Sequence, residues 1–116
     1  MSVSTEFEQA RLRWAGELEA NGMGPASGRL AVIIPAHNEE AVIAATLRSV
    51  VKACRREDIF IFCDACTDRT VALARLYVPE ANVIDQRENI GKSRGVEKVL
   101  NEIVFPRGYP YVGVID

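Results

Sequence analysis

The sequence holds no apolar run near the eighteen or so residues that span a bilayer, and its start, MSVSTEFEQARLRW, has no apolar centre of the kind that directs secretion. A cytoplasmic protein without a membrane-spanning helix is therefore expected. Cysteine is scarce. Cys54, Cys63 and Cys66 cannot all pair with one another, so reduced thiols are expected and the fold should not need a disulfide. Histidine occurs once, as His37, which leaves zinc short of ligands: the close pair Cys63 and Cys66 would need two more, and only Cys54 and His37 remain. An excess of positive charge is missing too. A formal net charge of −2 and a pI near 5.5 give no basic footprint, so nucleic acid is not an expected partner.

What is present suits one soluble domain. The 116 residues are 48% hydrophobic and 26% charged, enough for a single core, with no internal repeat and no low-complexity stretch. Thr5-Glu6-Phe7-Glu8 fits a capping box, and Phe7, Ala10, Trp14 and Leu18 recur at helical spacing until Asn21-Gly22. This predicts an N-terminal amphipathic helix, lying on the outside of the domain or docking on a partner, with Glu6, Glu8, Glu17 and Glu19 opposing anionic lipid. Gly22 to Gly28, GMGPASG, reads as a linker. The chain thus divides into a helix and linker over 1–28 and a domain over 29–116.

The domain is organised around Leu30 to Glu40, LAVIIPAHNEE. Five apolar residues up to Ile34 predict a strand buried on both faces, broken at Pro35, as in a parallel sheet under helices. Asn38 is placed to cap the next helix, with Glu39 and Glu40 complementing its positive end and Val42, Ile43, Leu47, Val50 and Val51 as its apolar face. A second strand–helix unit follows: Ile59 to Cys63 ends at Asp64, Thr67 or Asp68 caps, and Val71, Leu73, Ala74 and Leu76 supply the buried positions. Ala81 to Ile84 is a weaker third strand before a polar loop, Asp85 to Asn89. Gly91-Lys92-Ser93 starts a helix through Val96, Val99, Leu100 and Ile103, and Tyr111 to Ile115 forms a fourth strand finishing on Asp116. Strands alternating with helices predict a parallel α/β sheet with right-handed crossovers.

That architecture gathers Pro35 to Glu39, Asp64 to Asp68, Asn89 to Arg94 and Asp116 at the carboxyl edge of the sheet, where open α/β sheets bind ligands. Asp64 closes an apolar strand and can accept from a base N–H or a ribose hydroxyl; Asp116 is placed alike, and such carboxylates suit a divalent cation carrying a diphosphate. Gly91-Lys92-Ser93 resembles the end of a P-loop, but the first glycine would have to stand at position 86, which is Gln86. The same stretch reads either as an anion site, from free N–H groups, helix dipole and the cations Lys92 and Arg94, or as a solvated helix start. A lone His37 beside a strand end suits packing or hydrogen bonding. Cys63-x-x-Cys66 before a helix raises thiol redox chemistry, opposed by the buried place of Cys63 and by Asp64 between the thiols.

Together VIIPAHNEE, the strand ending in Asp64 with CTDRT after it, NIGKSRG and YVGVID resemble the N-terminal half of a family 2 glycosyltransferase with the GT-A fold, over about Leu30 to Asp116. The resemblance implies a Rossmann-like half-domain with strand order 3-2-1-4, helices on both faces, and a nucleoside-diphosphate sugar as partner. It implies that Pro35, His37, Asn38 and Glu39 border the nucleotide, that Asp64 bonds the base, and that Lys92 and Arg94 lie near base and diphosphate. Asp116 matches the first Asp of a D-x-D that binds ribose and a Mg or Mn ion. The common second-strand motif D-D-G-S-T-D is here Cys63-Asp64-Ala65-Cys66-Thr67-Asp68. Because the sequence ends at Asp116, the expectation is a truncated half, weak in metal binding, whose acceptor-binding part and general base for inverting transfer lie elsewhere. A homo-oligomer and peripheral membrane contact of a longer form stay open. The alternatives are a non-catalytic regulatory module that binds a nucleotide or a partner, and a thiol redox protein using Cys63 and Cys66.

Overall fold

A computed structural model describes residues 29–116; the helix and linker expected over 1–28 lie outside the described residues. The elements run β1 (Leu30–Ala36), α1 (Ile43–Ala53), β2 (Ile59–Asp64), α2 (Thr70–Ala74), β3 (Val83–Gln86), α3 (Lys92–Val99) and β4 (Tyr111–Val114). A π-helical turn, Leu100–Val104, extends α3, and single 3-10 turns at Arg56–Asp58 and Glu80–Asn82 lead into β2 and β3. All strand pairs are parallel and the order is β3-β2-β1-β4, the α/β sheet expected. No helix among the described residues is long and apolar enough to cross a membrane.

The central strands explain the layering. Side chains alternate between the faces of a strand, so β1 and β2, apolar at nearly every position, feed two cores. Val32, Ile34, Ile59, Ile61 and Cys63 pack with Ile43, Leu47 and Val50 of α1 and Ala74 of α2. On the other face Ala31, Ile33, Phe60 and Phe62 meet Val99 of α3 and Val104. Helices therefore cover both faces. Full burial of each large side chain contributes about 1.5–3 kcal/mol. The approach of α3 to β2 is set by Gly95, where a Cβ would stand 2.5 Å from the Phe62 ring.

Four boundaries differ from expectation. Pro35 does not end β1: it pairs with Phe62 in the β2 register, and the strand runs on to Ala36. Ile33 accepts the Ile115 N–H at 3.0 Å, so Pro35, two residues on, turns its missing N–H toward the β4 side beyond the last register pair, Ile33–Val114. Helix α1 starts at Ile43, not beside Asn38. The segment α2 has only five residues; its chain then tightens into turns that leave Leu76 71% exposed and seat Val78 in the core instead. Strand β3 begins two residues late and includes Asp85 and Gln86, because the buried Asn82 amide donates to the carbonyls of Glu57 and Ile59, both at 3.0 Å, and holds the preceding turn.

At the amino end of the sheet Asp58 is 3% exposed. Its carboxylate accepts from Arg29 Nε at 3.0 and 3.2 Å and from the Tyr109 hydroxyl at 2.7 Å, with a further bond from an Arg29 terminal nitrogen. The bond to Asp58 raises the Arg29 pKa further, and burial, then Asp58, raises that of Tyr109. The Tyr109 ring stands edge-on to Phe60, centroids 6.0 Å apart, beneath the Arg29 guanidinium. Both partners come from outside the strands and tie their ends to the start of β2.

Candidate functional site at the carboxyl edge

Each strand delivers polar residues to the opposite end. The β1 loop carries His37 to Glu40, β2 ends in Asp64 to Asp68, the segment before α3 carries Asn89 to Arg94, and Asp116 follows β4. Since β4 adds beside β1 while β2 lies on the other side, the order reverses between β1 and β4, the kind of switch point beside which open α/β sheets bind ligands.

The first two loops cap each other. Asn38, at φ 49°, does not cap α1 as expected; its Oδ1 accepts the N–H groups of Thr67 at 2.8 Å and Asp68 at 3.2 Å on the second loop. In return Asp68 Oδ2 accepts the Glu40 N–H at 3.1 Å and Thr70 Oγ1 accepts the Glu39 N–H at 2.8 Å, while Glu40 Oε2 accepts the Arg69 N–H at 3.1 Å. Asp68 Oδ1 also accepts the Thr70 N–H at 2.9 Å, but the N-cap position of α2 is Arg69, one residue beyond the expected cap. Desolvation pushes the Asp68 carboxyl up, but the bonds from Thr70 and Glu40 outweigh it and hold its pKa below the ordinary value. The Cys66 sulfur lies between the loops, accepting the Asn38 N–H at 3.4 Å and donating to the Ala36 carbonyl at 3.6 Å.

Asp64 has a structural task that the sequence did not reveal. It is 6% exposed, and its two oxygens accept the N–H groups of Ile90 at 2.9 Å and Gly91 at 2.8 Å. A carboxylate at the start of α3 opposes the helix dipole favourably, so two of the donors expected for an external anion are already engaged from within. Two oxygens carry about four lone-pair sites, which leaves acceptor capacity on Asp64. Gly91 turns the chain at φ 86°. The His37 ring, at the exposed edge, donates from Nδ1 to the Asp64 carbonyl at 2.5 Å, the hydrogen-bonding role expected of a lone histidine.

Lys92 and Asp116 form an ion pair across the β4 side of the edge, both half-exposed. Arg94 is exposed on α3 and Pro35 half-buried beneath the first loop. Among the described residues no three His, Cys, Asp or Glu side chains gather as a metal site. Asp116 offers one hard oxygen ligand, shared with Lys92. That set does not make a metal centre by itself.

On the far side, Ala65, Cys66, Thr67, Asp85, Gln86 and Arg87 line an open cleft of about 350 Å³. Burial, reinforced by Cys66, pushes the Cys63 thiol up to about 12. That opposes the thiolate on which redox exchange depends. Thr70 and Gly95 went unnoticed in the sequence; the positions were visible in CTDRT and NIGKSRG, but their partners, Glu39 and Phe62, are distant along the chain.

No curated protein matches the chain. Residues 31–116 do match the description Glycosyl transferase family 2. A match running from the second residue of β1 to Asp116 takes in β1 to β4, α1 to α3 and each loop of the carboxyl edge, and by it the chain belongs to glycosyl transferase family 2.

Proposed function

We propose that the carboxyl edge binds a nucleoside-diphosphate sugar as the donor-binding part of an inverting glycosyltransferase. The observation that carries the reading is the convergence of three loops and Asp116 beside the β1–β4 switch point in a chain of this family. Pro35, His37, Glu39 and the backbone of Asn38 border the nucleotide. Asp64, through its remaining acceptor capacity, faces the base, and Lys92 and Arg94 face the diphosphate. A divalent cation, Mg or Mn, would come as companion of the diphosphate, and Asp116 is the residue that would hold it.

In direct displacement the acceptor oxygen attacks the anomeric carbon as the bond to the diphosphate breaks. Its proton goes to a carboxylate base. The cations Lys92 and Arg94 stabilise the charge that develops on the leaving diphosphate. Calorimetry with UDP-, GDP- and dTDP-sugars in the presence of Mn tests the binding. Heat with at least one of them, lost in Lys92→Ala, is expected; no heat with any contradicts the reading.

A further inference from the structure

Five of the bonds that join the first two loops run from a backbone N–H on one segment to a side-chain oxygen on the other. Asn38 is the centre of this latch. Its amide oxygen holds two consecutive N–H groups, Thr67 and Asp68. The neighbouring His37 reaches the same loop through the Asp64 carbonyl. The circuit closes on Asp64, whose carboxylate in turn fixes Ile90 and Gly91 ahead of Lys92. Asn38 therefore supplies two of the five bonds that relate the first loop to the segments carrying Asp64 and Lys92.

We propose that Asn38 is a positioning residue for nucleotide-sugar binding, acting through its amide oxygen on the second loop and not through contact with the nucleotide. This rests on the nucleotide-sugar reading above. The left-handed backbone at Asn38, φ 49°, supports it, because that conformation is what aims the short side chain across at Thr67 instead of back at its own helix. The alternative, an amide nitrogen aimed at a phosphate, makes a different demand. It needs the N–H donors of the side chain, whereas the latch needs only the oxygen acceptor.

Two substitutions separate these demands. Asn38→Gly keeps the positive φ and removes the side chain. Asn38→Asp tolerates the same backbone, keeps an acceptor for both N–H groups and removes the donors. Amide hydrogen exchange on the ligand-free protein reads the latch: Thr67 and Asp68 should exchange about tenfold faster in Asn38→Gly, whose two bonds are lost, and at the wild-type rate in Asn38→Asp. Calorimetry with whichever of the UDP-, GDP- or dTDP-sugars the wild type binds reads the consequence. Asn38→Gly should weaken binding about tenfold, and Asn38→Asp should stay within about threefold, its charge satisfied by the two N–H groups. Weakening by Asn38→Asp as great as by Asn38→Gly, with Thr67 and Asp68 still protected, would overturn the proposal in favour of direct contact; so would unchanged binding in Asn38→Gly. If the wild type binds none of the three sugars, the nucleotide reading has failed, and the exchange measurement alone upholds or overturns Asn38 as the residue that sets the loop.

Discussion

The two ends of the sheet are both polar, yet they use their polar groups differently. At the amino end the buried Asp58 carboxylate is satisfied by Arg29 and Tyr109, both half-buried, beside the Phe60 ring. At the carboxyl end the bonds run from loop to loop near solvent, and Lys92 and Asp116 pair with about half of each side chain exposed. Removing one member of a desolvated pair strands a buried charge, whereas an exposed pair is worth about 0–1 kcal/mol. The first arrangement holds the fold. The second leaves charge free to be redirected to a ligand, so the state of the partners, and not the density of polar residues, separates scaffold from site.

Asp58→Ala puts the contrast under the greatest strain. It leaves the partly exposed Arg29 and the Tyr109 hydroxyl without their acceptor and should cost about 2–3 kcal/mol in urea denaturation. Gly95→Ala tests the packing between the ends: a methyl placed 2.5 Å from the Phe62 ring should cost about 1–3 kcal/mol, partly restored by Phe62→Leu in the same chain. Ala65 sits at φ 54°, where the common family motif has glycine. Ala65→Gly should therefore raise stability by up to about 1 kcal/mol, strain relief outweighing the greater freedom of the unfolded glycine. Lys92→Ala should change stability least, by less than about 0.5 kcal/mol, while removing a cation from the proposed diphosphate site.

Cys63 adds a pH test. Burial raises its thiol from 9.0 to about 12, so the folded state holds the proton more tightly than the unfolded state. Its contribution is whole below pH 9 and is lost as pH rises from there through about 12. Denaturation midpoints of the wild type and Cys63→Ala measured from pH 8 to 11 should converge as pH rises.

Apolar continuity made the layers readable in sequence. β1 and β2 announce themselves through LAVII and IFIFC, and the succession of strands and helices made the parallel sheet legible, while its order was what the family resemblance implied. The same local reading misplaced whatever depends on distant partners. Asn38 has the composition of a helix cap, but its acceptors serve Thr67 and Asp68. Nothing local marks Asp58 as buried, because its partners Arg29 and Tyr109 are far from it in sequence. Of the carboxyl edge, the positions Pro35, His37, Glu39, Lys92, Arg94 and Asp116 were legible from where strands end. The bonds of Asp64 to Ile90 and Gly91 were not, since nothing local marks which backbone a carboxylate will meet.

The division of labour between the two ends is tested most directly by mapping amide chemical shifts during titration with a UDP-, GDP- or dTDP-sugar in the presence of Mg. Shifts concentrated in residues 36–40, 64–68, 86–94 and 114–116, with Arg29, Asp58 and Tyr109 unmoved, are the predicted result. Shifts centred on Arg29, Asp58 and Tyr109, or none at saturating sugar, would contradict it.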